Sequence, residues 1–229
     1  MAAILVQGAR APGMKPDRAA RSVRYNRRMS TETNERTVPG LQDGGKIDEI
    51  RNHIRSIIEI LGLDPDSDPN LKDTDRRVAK MYLEMFSGLS EGAEPNITCF
   101  PNDEHYSAMV MEKDIPFYSM CAHHFVPFYG HAHMAYIPNE RIIGLSKMPR
   151  VVEFYAKRPQ LQERMTEQIA GYLEQRLRPQ GIMVVLEARH LCVEMRGIKK
   201  PGATTVTSAI RGIFLNKPVR EEFLDLLKR

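Results

Sequence analysis

Two short segments of the sequence carry the side chains that are best suited to bind a transition metal. Cys121 and His124 have the two-residue gap that is common in zinc sites, and Cys192 lies far along the chain beside further candidate ligands. Three protein ligands and an open fourth position would make a catalytic zinc site. Because the whole chain has only three cysteines and seven histidines, this joint occurrence predicts a metal site. The spacing does not decide which of His123, His124 and His190 is the ligand.

Each of these residues, taken singly, is also explained without a metal. Free cysteine is among the most buried residue types, and a lone histidine is often a hydrogen-bonded core residue. A closed structural zinc site would need a fourth ligand. The competing hypothesis is a zinc-stabilised module that binds nucleic acid through a basic surface, but it leaves Glu163 and the run 146–150 unexplained.

The second metal-like segment is predicted to lie on a strand. The pattern over residues 182–195 predicts one long strand. Its alternation would place four polar or metal-binding residues on one face: His190, Cys192, Glu194 and Arg196. A metal ligand, a proton donor and a fixed positive charge would then line one wall, which suits hydrolysis of an anionic substrate. The alternative is a half-buried strand with a salt-bridged edge towards solvent.

Anion binding is predicted where a strand gives way to a helix, at Ser146. Free backbone N–H groups and the positive end of the helix dipole favour anions at such a position. Lys147 and Arg150 are three residues apart, so they share a helix face. The segment lacks the glycine pattern of a P-loop, so by itself it is a weak signal for phosphate.

An amide and a carboxylate open the next predicted helix, at Gln162 and Glu163. The structural interpretation is that Glu163 caps the N-terminus of that helix. The functional interpretation is base recognition, because the guanine edge offers two adjacent donors that one carboxylate accepts together. Adenine does not present that pair, so a buried carboxylate would discriminate strongly between the two bases.

Hydrophobic periodicity predicts an α+β fold, with helices and strands in an uneven order. Helical spacing covers residues 47–61, 78–86, 151–155 and 161–177, and a last helix opens at Pro218. Strand patterns cover residues 107–115, 127–137, 141–145, 182–195 and 204–214. His131 and His133 share one strand face without a neighbouring cysteine, so they are interpreted as ordinary strand residues.

Composition and charge restrict the class of protein. The 229 residues include 42% hydrophobic and 27% charged side chains, carry a net charge of +4, and contain no apolar run of membrane-spanning length. Three cysteines, two of them in metal-like settings, argue against a disulfide framework and predict a reducing, cytoplasmic compartment.

Residues 1–45 are first Arg-rich and then Gly-rich, which predicts a disordered basic tail and linker. An organelle transit peptide is the alternative for this tail.

Six segments together resemble GTP cyclohydrolase I of the zinc-dependent type. They are SMCAHH at 119–124, AYIP at 135–138, IGLSKMPR at 143–150, RPQLQER at 158–164, EARHLC at 187–192 and MRG at 195–197. Their order and spacing fit that family from about residue 46 to the C-terminus. The resemblance implies the tunnelling fold, an antiparallel sheet flanked by helices. Its N-terminal helical part would cover about 46–90 and its catalytic α+β part about 100–229.

The resemblance also implies a reaction and a metal. GTP and water would give formate and 7,8-dihydroneopterin triphosphate, the first step of folate or tetrahydropterin synthesis. Zinc held by Cys121, His124 and Cys192 would activate the water that attacks C8 of guanine. His123 and His190 would donate and accept the protons for ring opening and formate release.

The remaining implied residues are a third catalytic residue, Ser146, and those that bind the substrate. By motif position they are Ser146 for the ribose rearrangement, Lys147, Arg150 and Arg196 for the triphosphate, Gln162 and Glu163 for guanine, and Arg77 and Lys80 from a neighbouring subunit.

The family assembles as a toroidal homodecamer with sites between subunits. GTP and further copies of the chain are therefore the implied partners, whereas nucleic acid and membrane are not. Ala122 departs from many members, which carry Glu there. An inactive relative is the remaining alternative, against which the presence of His123 and His190 argues.

Overall fold

A five-stranded sheet with two helices packed on one face forms the frame of the protein. The computed structural model describes residues 44–228, all of which belong to one compact unit. The tail and linker predicted for residues 1–45 lie outside this range, apart from their last two residues. Among the described residues, no helix combines the length and the apolar character that crossing a membrane requires.

Helices and strands alternate unevenly along residues 44–228, which confirms the predicted α+β class. The helices are α1 (Gly44–Ile60), α2 (Thr74–Met85), α3 (Lys147–Ala156), α4 (Gln162–Leu177), α5 (Leu191–Glu194) and α6 (Lys217–Lys228). The strands are β1 (Cys99–Pro101), β2 (Val110–Cys121), β3 (Pro127–Ile137), β4 (Arg141–Ile143), β5 (Pro159–Gln160), β6 (Gly181–His190) and β7 (Thr204–Gly212). Short 3-10 turns lie at Ser87–Leu89 and Ile213–Leu215.

The main sheet has the strand order β5-β2-β3-β6-β7. Its four long strands are antiparallel neighbours, and the short β5 pairs in parallel with the end of β2. The strand predicted at 141–145 is present as the shorter β4, and its partner is β1. Both edges of β3 are already taken by β2 and β6, so β4 pairs in a separate two-stranded sheet.

The helical and strand periodicities of the sequence meet in one core. α4 buries Met165, Ile169, Leu173 and Leu177 at four-residue spacing, the apolar stripe of an amphipathic helix. Each such side chain contributes about 1.5–3 kcal/mol when it is fully buried. They pack between α3 and the sheet face that carries Phe128, and a smaller cluster involves α6. This core holds the ends of β2 and β6 in place beside β3.

A bulge in β2 explains its imperfect alternation. The register against β3 shifts between Glu112 and Ile115, and Asp114 has a left-handed φ of 58°. The backbone N–H of Asp114 donates to Nδ1 of His133 at 3.1 Å. Because a bulge interrupts the ladder of backbone hydrogen bonds, the buried His133 ring gives this N–H group a partner.

The long strand predicted over residues 182–195 is wrong in its last part. β6 ends at His190, and Leu191–Glu194 forms the short helix α5. The pairing of β6 with β3 ends where His190 faces Phe128, and its pairing with β7 ends at Arg189. With no partner strand beyond these positions, the chain turns into a helix. Of the four residues predicted to share one strand face, only His190 lies in the strand.

Candidate metal centre and active site

A tight turn after β2 brings Cys121 and His124 together. The backbone N–H groups of His124 and Phe125 donate to the carbonyl of Cys121 at 3.3 and 2.8 Å. Phe125 has a left-handed φ of 52°, which lets the chain reverse within these few residues. The two-residue gap in the sequence therefore corresponds to a single turn, and it leaves His124 Nδ1 4.0 Å from Cys121 Sγ.

Cys192 reaches the same place from α5. The end of β2 and the end of β6 lie on either side of β3, so the segments that follow them are close. The Sγ atoms of Cys192 and Cys121 are 3.7 Å apart, although the residues are 71 positions apart in the sequence. The donor atoms of Cys121, His124 and Cys192 all lie within 4.8 Å of one another. We refer to these three residues as the Cys–His–Cys group.

The geometry of this group fits a tetrahedral zinc ion. Two thiolates that each bind zinc at about 2.3 Å stand roughly 3.8 Å apart, which agrees with the 3.7 Å between Cys121 and Cys192. Burial raises the pKa of the Cys192 thiol, and the neighbouring Cys121 raises it further. A bound cation would favour both thiolates, so this donor set suits a metal. Three ligands leave one position open, as in catalytic zinc sites.

A bidentate ion pair ties α5 to the end of β6. Arg189 Nε and Nη2 donate to the two carboxylate oxygens of Glu194 at 2.7 and 2.6 Å. These hydrogen bonds hold the pKa of Glu194 below its usual range. Glu194 is therefore an ionised acceptor that fixes the helix carrying Cys192, and it does not share a polar strand wall with His190.

His190 lies at the end of β6, beside the Cys–His–Cys group. Its ring stacks on Phe128, with 4.7 Å between the ring centroids and 2° between the planes. Burial lowers the pKa of His190, and the nearby carboxylate of Glu163 opposes that shift. Its Nε2 lies 2.7 Å from Oε1 of Gln162. The imidazole is thus held by one stacking contact and one hydrogen bond.

Gln162 and Glu163 have different surroundings although they are adjacent in the sequence. Gln162 is buried, and its amide nitrogen lies 3.0 Å from the carbonyl oxygens of both Leu186 and Thr205. Glu163 is exposed, and its side chain makes no hydrogen bond with another residue of the range 44–228. Of the two residues predicted to contact guanine, Glu163 therefore offers its polar atoms to a ligand more readily.

His123 and Arg196 complete the surroundings of the metal ligands. His123 is exposed, with Nδ1 3.9 Å from Cys121 Sγ. Arg196 Nη1 lies 3.1 Å from His124 Nε2. Nδ1 of His124 is the nitrogen that faces the thiols, 4.0 Å from Cys121 Sγ, so it is the atom that can bind a metal there. Arg196 thus reaches the site from the loop after α5, not from the predicted strand.

The predicted anion-binding segment lies away from the Cys–His–Cys group of its own chain. Ser146 precedes α3, and Lys147 and Arg150 lie on its first turn. α3 packs along β2, and its far end is near the metal turn, where Ser119 Oγ donates to Ala156 O at 2.7 Å. The 10 residues of α3 span about 15 Å. One chain therefore does not bring these three residues to its own metal ligands.

Arg77 and Lys80 are also remote from the metal ligands of their own chain. Phe86, which follows α2, packs edge-on against Phe125 of the metal turn, with 5.3 Å between the centroids. Arg77 lies nine residues earlier, about 13 Å along the helix axis. Its guanidinium donates to Thr74 Oγ1 at 2.8 Å, and both basic side chains are exposed.

Phe128 and Arg189 shape the site, but the sequence patterns do not single them out. A phenylalanine on the buried face of a strand is predicted to be a core residue, and nothing local indicates a stack on histidine. Arg189 gains its importance from α5, which is too short to produce a helical period. If the sequence had indicated that the strand ends at His190, the Arg189–Glu194 pair could have been predicted.

Comparison with known proteins identifies the family whose sequences this chain resembles. The profile of the family GTP cyclohydrolase I matches residues 50–228. GTP cyclohydrolase 1 of Carboxydothermus hydrogenoformans is 54% identical over 168 residues, which cover 73% of this chain and 86% of the relative. GTP cyclohydrolase 1 of Geobacillus kaustophilus is 51% identical over 182 residues, which cover 79% of this chain and 96% of the relative.

Solved structures give a more limited likeness. A crystal structure of the archaeosine synthase QueF-Like in the apo form is similar over 45% of this chain and 93% of its own, at 16% identity and a TM-score of 0.39. The family assignment rests on the sequence instead, since the family profile covers most of the described chain and the relatives are about half identical to it. The chain belongs to the GTP cyclohydrolase I family.

Proposed function

We propose that this protein is a zinc-dependent GTP cyclohydrolase, which takes up GTP and water and releases formate and 7,8-dihydroneopterin triphosphate. The observation that carries the proposal is the Cys–His–Cys group beside His190, in a chain that is about half identical to relatives named GTP cyclohydrolase 1. Such a reaction would begin folate or tetrahydropterin synthesis and would take place in the cytoplasm.

The metal ligands in this proposal are Cys121, His124 and Cys192. Zinc at this position would supply the Lewis acidity that makes water a nucleophile at neutral pH. His123 and His190, which lie within two residues of these ligands in the sequence, would move protons to and from the opening ring, because imidazole both accepts and donates. His123 is free to face a ligand, whereas His190 is held in one orientation.

Recognition of the substrate is assigned to charged residues. The carboxylate of Glu163 would accept the paired donors of the guanine edge, since it is exposed and close enough to affect the pKa of His190. The triphosphate would be bound by Lys147, Arg150 and Arg196, with Arg77 and Lys80 contributed by a neighbouring copy. Ser146 would assist the ribose rearrangement that follows formate release. For Gln162, its buried contacts favour a different task from direct contact with guanine.

A second copy of the chain would complete each site. The first turn of α3 is about 15 Å from the end that lies near the metal turn, so its cations would serve the metal ligands of another copy. The sheet also has two open edges among the described residues, the outer edge of β7 and most of β2. Pairing of unlike edges between copies would generate a ring when the rotation from one copy to the next closes. By the family resemblance, the assembly would be a toroidal homodecamer.

The test is formate release from GTP by the zinc-loaded protein. We expect formate from the wild type, and at least a hundredfold less after removal of zinc by a chelator or in Cys192→Ala. Cys99→Ala is the matched control, because Cys99 is a free, half-buried thiol that takes no part in the Cys–His–Cys group. Absence of formate from a folded, zinc-loaded wild type would contradict the proposal.

A further inference from the structure

The buried amide of Gln162 has one allowed orientation. Its Nε2 lies 3.0 Å from each of two backbone carbonyl oxygens, those of Leu186 and Thr205. A carbonyl oxygen can only accept, so the atom that faces both of them is the amide nitrogen. The side chain is 2% exposed, so water does not compete for these positions. Oε1 is therefore the atom that faces His190.

Two threonines close the hydrogen-bond network around this amide. The hydroxyl of Thr166 donates its hydrogen to the backbone carbonyl oxygen of Gln162 at 2.7 Å. Thr207 Oγ1 lies 2.7 Å from Thr166 Oγ1, so Thr207 is the donor in that pair. The oxygen of Thr207 can then serve, at 3.2 Å, as a third acceptor that shares the two hydrogens of Gln162 Nε2 with the carbonyls. If the amide were reversed, its oxygen would face these acceptors, and neither threonine has a hydroxyl hydrogen left to donate to it.

We propose that Gln162 is a positioning residue, which holds His190 in the tautomer that carries its proton on Nε2. Oε1 of the amide can only accept, so at 2.7 Å the Nε2 of His190 must be the donor. Nδ1 is then the nitrogen that exchanges a proton with the substrate. The parallel stack on Phe128 fixes the plane of the ring, so Nδ1 keeps a constant direction.

This role differs from direct recognition of guanine. Both hydrogens of the amide are committed to the interior, and its oxygen is committed to His190. A residue that reads a base needs polar atoms that face the ligand, and the adjacent Glu163 supplies them from an exposed position. The kinetic consequence of the inference rests on the proposed function, because it requires that His190 moves a proton during hydrolysis of GTP. The tautomer itself does not depend on the substrate.

The tautomer is measured on the full-length, zinc-loaded protein by 15N NMR with labelled histidine. The signals of His190 are identified by their loss in His190→Asn. We expect the proton of the neutral ring on Nε2 in the wild type and a mixture of both tautomers in Gln162→Met. A wild-type spectrum with the proton on Nδ1 overturns the inference, and this result needs no Gln162 variant to fold.

Kinetics separate positioning from recognition of the base. In Gln162→Met we expect kcat for GTP to fall by about tenfold to a hundredfold, with KM within about threefold of the wild type. Gln168→Met is the matched control on the same helix, since Gln168 accepts from Gln160 at 2.9 Å and does not contact His190. It should keep both constants within about twofold of the wild type. A large rise in KM with an unchanged kcat would assign Gln162 to guanine instead.

The two measurements also separate this inference from the proposed function. If the wild type releases no formate from GTP but its His190 carries the proton on Nε2, the function fails and the positioning of His190 stands. If formate is released and the proton is on Nδ1, the function stands and the inference fails.

Discussion

At the scale of single residues, burial makes His133 a pH-sensitive part of the sheet. Its Nδ1 accepts the backbone N–H of Asp114 at the β2 bulge, and burial lowers the pKa of the ring below its usual value of about 6.5. Asp114 and Glu187 oppose this shift but do not reverse it. The unfolded chain therefore binds a proton that the folded chain resists, so stability is lost as the pH falls below about 6.5.

We expect Tm to fall more in the wild type than in His133→Asn between about pH 7.5 and about pH 5.5. The Asn oxygen can still accept from Asp114, but it does not titrate. The difference is at most about 1.4 kcal/mol for each pH unit below 6.5. His53→Asn is the control, because His53 is an exposed histidine on α1, and it should follow the wild type. Parallel pH profiles of the wild type and His133→Asn would show that His133 does not contribute.

At the scale of elements, α5 positions Cys192 although it has only four residues. A helix of this length is not stable by itself, so its place depends on the Arg189–Glu194 pair. We expect Glu194→Ala to weaken zinc binding by about tenfold, as loss of supporting contacts does at metal sites. Competition with a coloured chelator measures this affinity.

The control for this change is Glu174→Ala on α4, which removes a contact of 3.6 Å with Arg211 of β7 and leaves α5 untouched. It should keep the zinc affinity of the wild type. If Glu194→Ala binds zinc equally well, the backbone after β6 holds Cys192 without the ion pair.

Particular helices and strands also show which features the sequence can predict and which it cannot. α4 follows from periodicity, because its buried positions recur at helical spacing. The alternation of β3 predicts the strand, although both of its faces are buried from Ala132 onwards. The ligand preferences of zinc predict a site that includes Cys121 and Cys192, whereas the choice of His124 over His123 and His190 comes from the family resemblance. The end of β6 does not follow from the sequence pattern, since partner strands that stop at Phe128 decide it. The buried state of Gln162 is equally hidden, because its partners come from distant strands.

At the scale of the whole molecule, the distance along α3 predicts that each site needs two copies of the chain. Cys192→Ala removes a metal ligand, and the double variant Lys147→Met/Arg150→Met removes the anion-binding pair. Each variant alone should be inactive if both halves are required. In an assembly that mixes the two kinds of chain, some sites combine the intact metal ligands of one copy with the intact α3 of another.

Co-expression of the two variants in equal amounts should therefore restore activity. If the chains mix at random, about one site in four has both halves intact, so formate release should reach about a quarter of the wild-type rate. The parent proteins, mixed after separate assembly, are the control and should stay inactive while their subunits do not exchange. If every chain instead builds its own site, no chain in the co-expressed assembly has both halves intact, and activity stays at the level of the parents. Recovery in the mixed assembly, and not in the mixture of separate ones, would place the anion-binding turn of one copy at the metal ligands of the next.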